Sequence, residues 1–370
     1  SIKYQKFDSI QNEGTSLINL VRNYFSKIRY FFGGAGTTLS EEYVGQSAPK
    51  RLRIILYGVS LVVVSLIVLG MYWSVEPDDS EIRSALNSPD VSIVGSATTK
   101  TLIKVVDTLL DKPGGYLSND ILPPSVWLDN VPSWEYGVLI QVRDLSKAMR
   151  ESFSRSQSQS TEDPDLSLAE PRFNVDHLSW AVPWPEREYR DGRDRLENYL
   201  IRLSDKKAYN TQFYARADNL RYWLGTVEKR LGSLSQRLSA SVGQKRINTD
   251  LSGAGGARQS TDSPKEIVVK TSWMRIDNVF YEARGTAWAL AHFLRAVELD
   301  FGEVLNDKNA NASVKQIIRE LEMTQQSVQS PMIVNGDGFG LLANHSLVMA
   351  SYISRANAAI IDLRELLSKG

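Results

Sequence analysis

The chain has 370 residues, 42% of them hydrophobic and 23% charged, with 43 Lys and Arg against 43 Asp and Glu, a formal net charge of +0. That balance lacks the basic excess a general nucleic-acid binder carries, so nucleic acid is not an expected partner. Cysteine is absent and only His177, His292 and His345 are available, which excludes thiolate catalysis, disulfides and cysteine zinc sites and leaves little for a histidine site.

The N-terminal residues contain an amphipathic stretch. Leu17, Leu20, Val21, Tyr24, Phe25, Ile28, Phe31 and Phe32 recur at helical spacing with Arg22, Lys27 and Arg29 between them. Such a helix suits the interface of an anionic leaflet, a partner helix or a small core of its own. Residues 54–73 then carry no charge at all. About twenty helical residues span the ~30 Å hydrocarbon layer. Lys50, Arg51 and Arg53 precede this run, Glu76, Asp78 and Asp79 follow it, and Tyr57, Tyr72 and Trp73 sit where interfacial aromatics belong. The expected topology places residues 1–53 in the cytoplasm, 54–73 as a transmembrane helix and 74–370 outside, in the periplasm. Lys50, Arg51, Arg53, Tyr57, Tyr72 and Trp73 form the membrane anchor in this reading, with membrane lipids as a partner.

After residue 74 the pattern is all-α, an antiparallel bundle crossed by irregular straps. Leu102, Val105, Val106 and Leu109 mark a helix stopped by Pro113-Gly114-Gly115. One strap follows from Tyr116 to Pro132; a second holds Trp180-Ala181-Val182-Pro183-Trp184-Pro185. Trp127, Trp134, Trp180 and Trp184 in and beside them are candidates for binding a partner, since indole combines a large apolar face with a polar handle. Two runs keep a strict 3.5-residue period: Phe213, Ala217, Leu220, Leu224, Val227, Leu231, Leu234, Leu238, and Ile276, Val279, Ala283, Thr286, Leu290, Phe293, Val297. Such seams belong to bundle packing, and the two are expected to fold back on each other. Between them, residues 243–262 read as a flexible linker, and Ser263-Pro264-Lys265-Glu266 reads as a capping box opening the second helix. Val314, Ile317, Ile318 and Leu321 mark another helix, and Val348, Tyr352, Ala359, Leu363 and Leu366 the last.

No catalytic constellation emerges. Asp176-His177 beside Trp180 invites one, but a lone histidine in a proline-rich strap is ordinarily solvated or hydrogen-bonded. Neither a His-Glu-x-x-His zinc motif nor a Gly-x-Ser-x-Gly elbow occurs. No catalytic residue, metal ligand or cofactor site is therefore assigned.

Three stretches carry a resemblance: Asp111-Lys112-Pro113-Gly114-Gly115-Tyr116-Leu117-Ser118-Asn119-Asp120; Pro132-Ser133-Trp134-Glu135-Tyr136-Gly137-Val138-Leu139 with Gln141-Val142-Arg143-Asp144; and Leu231 to Gly243. Over residues 55 to 370 the chain resembles an uncharacterised proteobacterial family of single-pass inner-membrane proteins, the domain of unknown function DUF2333. The resemblance implies a Gram-negative inner-membrane location and carries no catalytic residue. The expected function is a non-enzymatic, membrane-anchored periplasmic scaffold or adaptor that binds other envelope proteins, alone or within a larger complex; the alternative is a periplasmic ligand-binding or sensory domain acting through a membrane partner.

Overall fold

The computed structural model describes residues 50–77, 80–86, 93–155, 161–205, 211–247, 266–328, 330, 332–337 and 341–369. The amphipathic stretch at Leu17–Phe32 and most of the 243–262 linker lie outside them. The chain divides into two compact units, residues 1–65 and 66–370, the division falling within the first described helix. Among the described residues there are eleven α-helices and one two-stranded sheet, so the all-α expectation holds apart from a small hairpin.

Helix α1, Lys50–Trp73, contains the apolar run. Residues Arg53–Trp73 are long and apolar enough to cross a membrane, and almost none of the window is buried by protein. Short α2, Ser80–Leu86, leads to α3, Ser96–Asp111. The N-terminus of α3 is capped from afar: Asp300 accepts from Gly95 N–H at 2.8 Å and Thr98 N–H at 2.6 Å, satisfying donors that a helix start leaves orphaned. Helix α4, Asn130–Ala148, runs into a π-turn over Met149–Phe153. Helix α5, Pro164–Phe173, starts with Asp163 accepting from Asp165 N–H and Leu166 N–H, and with proline at its first position. Helix α6, Pro185–Ser204, also starts on proline, and Arg202 locks it to α5 through Asp163 at 2.7 and 2.9 Å.

The first seam is α7, Ala217–Ser239. Leu220, Leu224, Val227, Leu231, Leu234 and Leu238 are all buried, each a position where truncation to alanine costs about 2–5 kcal/mol. Its main partner is the C-terminal helix α11, His345–Ser368. On α11 the buried seam is Met349, Ile353, Ala356, Ile360, Leu363 and Leu367, a strict alternation of four and three. This corrects the sequence expectation: Val348 is exposed, Leu366 only partly buried, and the face is turned by one residue. Arg364–Glu228 and Arg355–Glu320 (2.8 Å) tie α11 to α7 and to α10, Asn311–Met323.

The second seam is α8, Ile276–Asp300, which runs into short α9, Gly302–Asp307. Strands β1, Gln244–Ile247, and β2, Glu266–Val269, pair antiparallel with Gln244 opposite Val269. Glu266 is thus a strand residue and not a helix cap, and α8 begins at Ile276, twelve residues after the first helical position the capping box implied. The β-branched run Ile267-Val268-Val269 favours the extended pairing over helix. Helix α8 packs mainly on α4, and also on α3 and α10, while its contact with α7 is minor. From Ala283 to Leu294 every residue is buried, as expected of a helix enclosed on all sides. The crossing with α4 is a backbone contact. A Cβ on Gly285 would collide with the Trp134 carbonyl, and one on Gly137 with the Glu282 carbonyl. Thr286 Oγ1 donates to Gly137 O across the same crossing at 3.3 Å.

Candidate functional site

Everything that follows α1 is gripped within a few residues of its end. Glu76, three residues beyond Trp73, accepts from Arg284 Nε at 2.6 Å and Nη2 at 2.9 Å. The same guanidinium donates to the carbonyls of Thr324 (3.1 Å), Gln326 (2.7 Å) and Gln325 (2.9 Å). Arg284 is fully buried in the middle of α8, and all five of its N–H donors are used. The fork therefore joins the end of α1, α8 and the C-terminal turn of α10 in one cluster.

A second buried ion pair lies in the loop after α3. Lys112 and Glu135 are both buried and in direct contact, and Lys112 Nζ also donates to Gly115 O. Glu135 accepts further from Leu117 N–H at 2.9 Å, Ser118 N–H at 2.8 Å and the Ser118 hydroxyl. Burial pushes the Glu135 carboxyl up, opposed by Lys112 and these hydrogen bonds. Gly114 and Gly115 have φ of +88° and +73°, a conformation that glycine adopts without strain. There is no room for a side chain either, since a Cβ on Gly114 would lie 2.7 Å from Trp73 Cγ. Thus Trp73 lies on the Lys112-Pro113-Gly114-Gly115 turn, and the first two sequence stretches that carry the resemblance meet at Lys112–Glu135.

The third stretch joins them at an open cleft of about 980 Å³. Leu117, Ser118 and Asp120 come from the first stretch, Ser133 and Tyr136 from the second, and Arg237 from the third. Arg237 is ion-paired with Glu282 on the opposite wall. Asp120 and Asp129 both titrate above the usual carboxylate range, mainly through burial, Asp129 also through the neighbouring charge of Asp277. His177 stacks on Tyr136 with ring centroids 4.7 Å apart. Burial, then the charge of Arg143, lowers its pKa and favours the neutral ring. Arg143 donates to Phe173 O at 2.6 Å and Val175 O at 2.8 Å, fixing the second strap. Asn119 Nδ2 donates to Ser179 O at 3.2 Å, so the two straps are also bonded to each other.

The tryptophans separate into two kinds. Trp134 is 5% exposed, belongs to α4 and packs on Trp288 at 5.2 Å; its ring is a core group. Trp127, Trp180 and Trp184 are each more than half exposed. Trp73 is where these groups gather: it shares one small pocket with Trp127 and Trp134, and one groove with Trp180 and Trp184. Along α1, Arg51, Arg53, Tyr57 and Tyr72 are exposed and Lys50 is the first helical residue. His345 Nδ1 accepts from Val334 N–H at 3.0 Å at the start of α11, and His292 is buried against Trp288 at 4.8 Å. Among the described residues no group of three or more His, Asp or Glu is placed to hold a metal ion. Arg284 and Glu135 were not legible as a site in the sequence, because an arginine within an apolar heptad and a glutamate beside a tryptophan signal burial only once their partners are known.

The fold and site define an all-α bundle that grips the end of a helix apolar enough to cross a membrane. The model of a family described as uncharacterized proteins conserved in bacteria, DUF2333, matches residues 49–370, and the chain belongs to that family. No curated protein and no solved structure matches the chain.

Proposed function

We propose that the protein is a membrane-anchored, non-enzymatic scaffold of the bacterial envelope, with α1 crossing the inner membrane and the bundle on its periplasmic side. In this reading the cleft between the straps and α8 seats a segment of another envelope protein. One observation carries it: the three stretches that share the family resemblance, far apart in sequence, all line that cleft. The orientation follows from Lys50, Arg51 and Arg53 in the first turn of α1 and Glu76 after its end, since cationic flanks stay in the cytoplasm. Photocrosslinking residues placed at Ser133 and Tyr136 of the full chain in native membranes should trap a discrete protein partner. Alkaline phosphatase fused after Gly370 should be active. Lipid-only or absent crosslinks from a correctly oriented chain would overturn the scaffold reading.

A second reading is favoured by the cleft itself. Its volume falls in the range of small-molecule sites, and Asp120 and Asp129, whose pKa values burial raises, lie on its wall. A periplasmic ligand sensed there would raise the melting temperature of the full chain when a low-molecular-mass periplasmic fraction is added, and Asp129→Ala would abolish the rise.

A further inference from the structure

The outer faces of the two straps carry large exposed apolar side chains that do not line the cleft. Leu122 is 71% exposed, Trp180 67% and Val182 87%, with Ile121 and Trp184 alongside. Their position relative to α1 is fixed by contact. A Cβ on Gly70 would stand 3.4 Å from Pro124 Cβ and 3.6 Å from Leu128 Cδ2, so the first strap abuts α1 at Gly70. Gly70 lies within the apolar run, three residues before its end at Trp73, which is about 4.5 Å along a helix axis. Trp73 itself lines an open groove with Ile121, Leu122, Trp180 and Trp184. The groove also holds Arg187, Arg190 in an ion pair with Asp111, and the acidic Asp120 and Glu186.

A strap that touches the last turn of a membrane-crossing helix sits at the depth of the lipid headgroups. At that depth aliphatic side chains find acyl chains, indole rings occupy the boundary, and arginines reach phosphates. Irregular backbone is tolerated there, whereas deeper in the hydrocarbon its polar groups would go unsatisfied. We infer that the outer faces of the two straps, around Ile121, Leu122, Trp180, Val182 and Trp184, seat in the lipid interface beside α1 as a second, shallow membrane contact. The inference rests on the reading of α1 as the membrane anchor. It assigns the exposed strap tryptophans to lipid and leaves protein partners to the cleft.

The chain has no cysteine, so single cysteines can be introduced without any background. The full chain would be prepared as Leu122→Cys and Val182→Cys, with Val62→Cys in α1 and Ile361→Cys on α11 as references, spin-labelled and reconstituted into phosphatidylethanolamine–phosphatidylglycerol vesicles. Collision with oxygen against a water-soluble nickel chelate then reports lipid or water at each label. The expected result is oxygen-dominated collision at Leu122 and Val182, shallower than at Val62, with Ile361 in water. Water-dominated collision at both strap labels, with Val62 in lipid, would overturn the strap contact and keep the anchor. Val62 in water would overturn the anchor itself, and the strap contact with it if the strap labels are in water too. Shielding from both reagents in native membranes, with water exposure in the pure lipid vesicles, would show a protein covering the straps and would also overturn the inference.

Discussion

Helices α1 and α8 are nearly equal in length, 24 and 25 residues, and both are rich in apolar side chains. Their surroundings are opposite. The apolar run of α1 is almost wholly exposed, whereas α8 is buried on every side from Ala283 to Leu294. The enclosed helix is the one that carries buried charge. Arg284 lies in its middle because the surrounding protein supplies Glu76 and three carbonyls as acceptors. The exposed run, with no such acceptors, has no charged residue from 54 to 73. Apolar sequence alone does not tell a core helix from a membrane helix. A polar group whose partners can be found within the fold does.

Removing those partners tests the comparison most severely. Arg284→Met keeps the bulk of the side chain but leaves Glu76 and the carbonyls of Thr324, Gln325 and Gln326 without their donor. Glu76 is half exposed and regains water, so the cost falls on the carbonyls left without a donor, about 1–3 kcal/mol. Urea unfolding of the full chain in detergent should show that loss, and a change under about 1 kcal/mol would mean water replaces the guanidinium. The reciprocal change places a charge where no acceptor waits. Val62→Arg should disfavour membrane insertion by about 2.5–3.5 kcal/mol while leaving the melting of the bundle unchanged. Membrane fractionation and calorimetry together would read both effects, and a lowered melting temperature would show that α1 packs on protein at that position.

The smallest effect concerns the other end of α8. Burial raises the Asp300 pKa above its ordinary 3.8, partly offset by hydrogen bonds from Thr98 and Gly95. The native state therefore holds a proton that the unfolded chain has released, over the window from 3.8 up to the raised value. The stability this group contributes is fully present below that window and is lost as pH rises through it. Asp300→Asn keeps an acceptor for only one of Gly95 N–H and Thr98 N–H, and it removes the titration. Its melting temperature should fall less steeply with rising pH across the window than that of the unaltered protein, and parallel curves would place the pH dependence elsewhere.

Much of the fold was legible because a seam is a one-dimensional signal. The buried leucines of α7 were readable from their spacing alone. What they bury against was not: α7 pairs with α11, which lies more than a hundred residues away in sequence, and not with the equally regular α8. On α11 two apolar faces compete, and the strict Met349–Ile353–Ala356–Ile360–Leu363–Leu367 repeat was the better guide than a set containing Val348 and Leu366. The capping box at Ser263–Glu266 failed because Ile267, Val268 and Val269 gain more from pairing with Lys245 and its neighbours than from a helical start. Trp134 was one of four strap-associated tryptophans read as candidates for partner binding or for pinning the straps. It is instead the first buried residue of α4, placed there by the Gly137–Gly285 crossing. At the site, the glycine turn was visible as a stop signal, but its role as the seat of Trp73 depends on contact across forty residues.

The Arg284–Glu76 fork also has a mechanical consequence. Only Ser74 and Val75 separate Trp73 from the gripped carboxylate. Tension or torque along the end of α1 is therefore transmitted to the centre of α8 through two parallel bonds, with no slack tether to absorb it. A twist of that final turn cannot dissipate in a loose joint, and it arrives as strain at the Gly137–Gly285 crossing, where the two backbones have least freedom to yield.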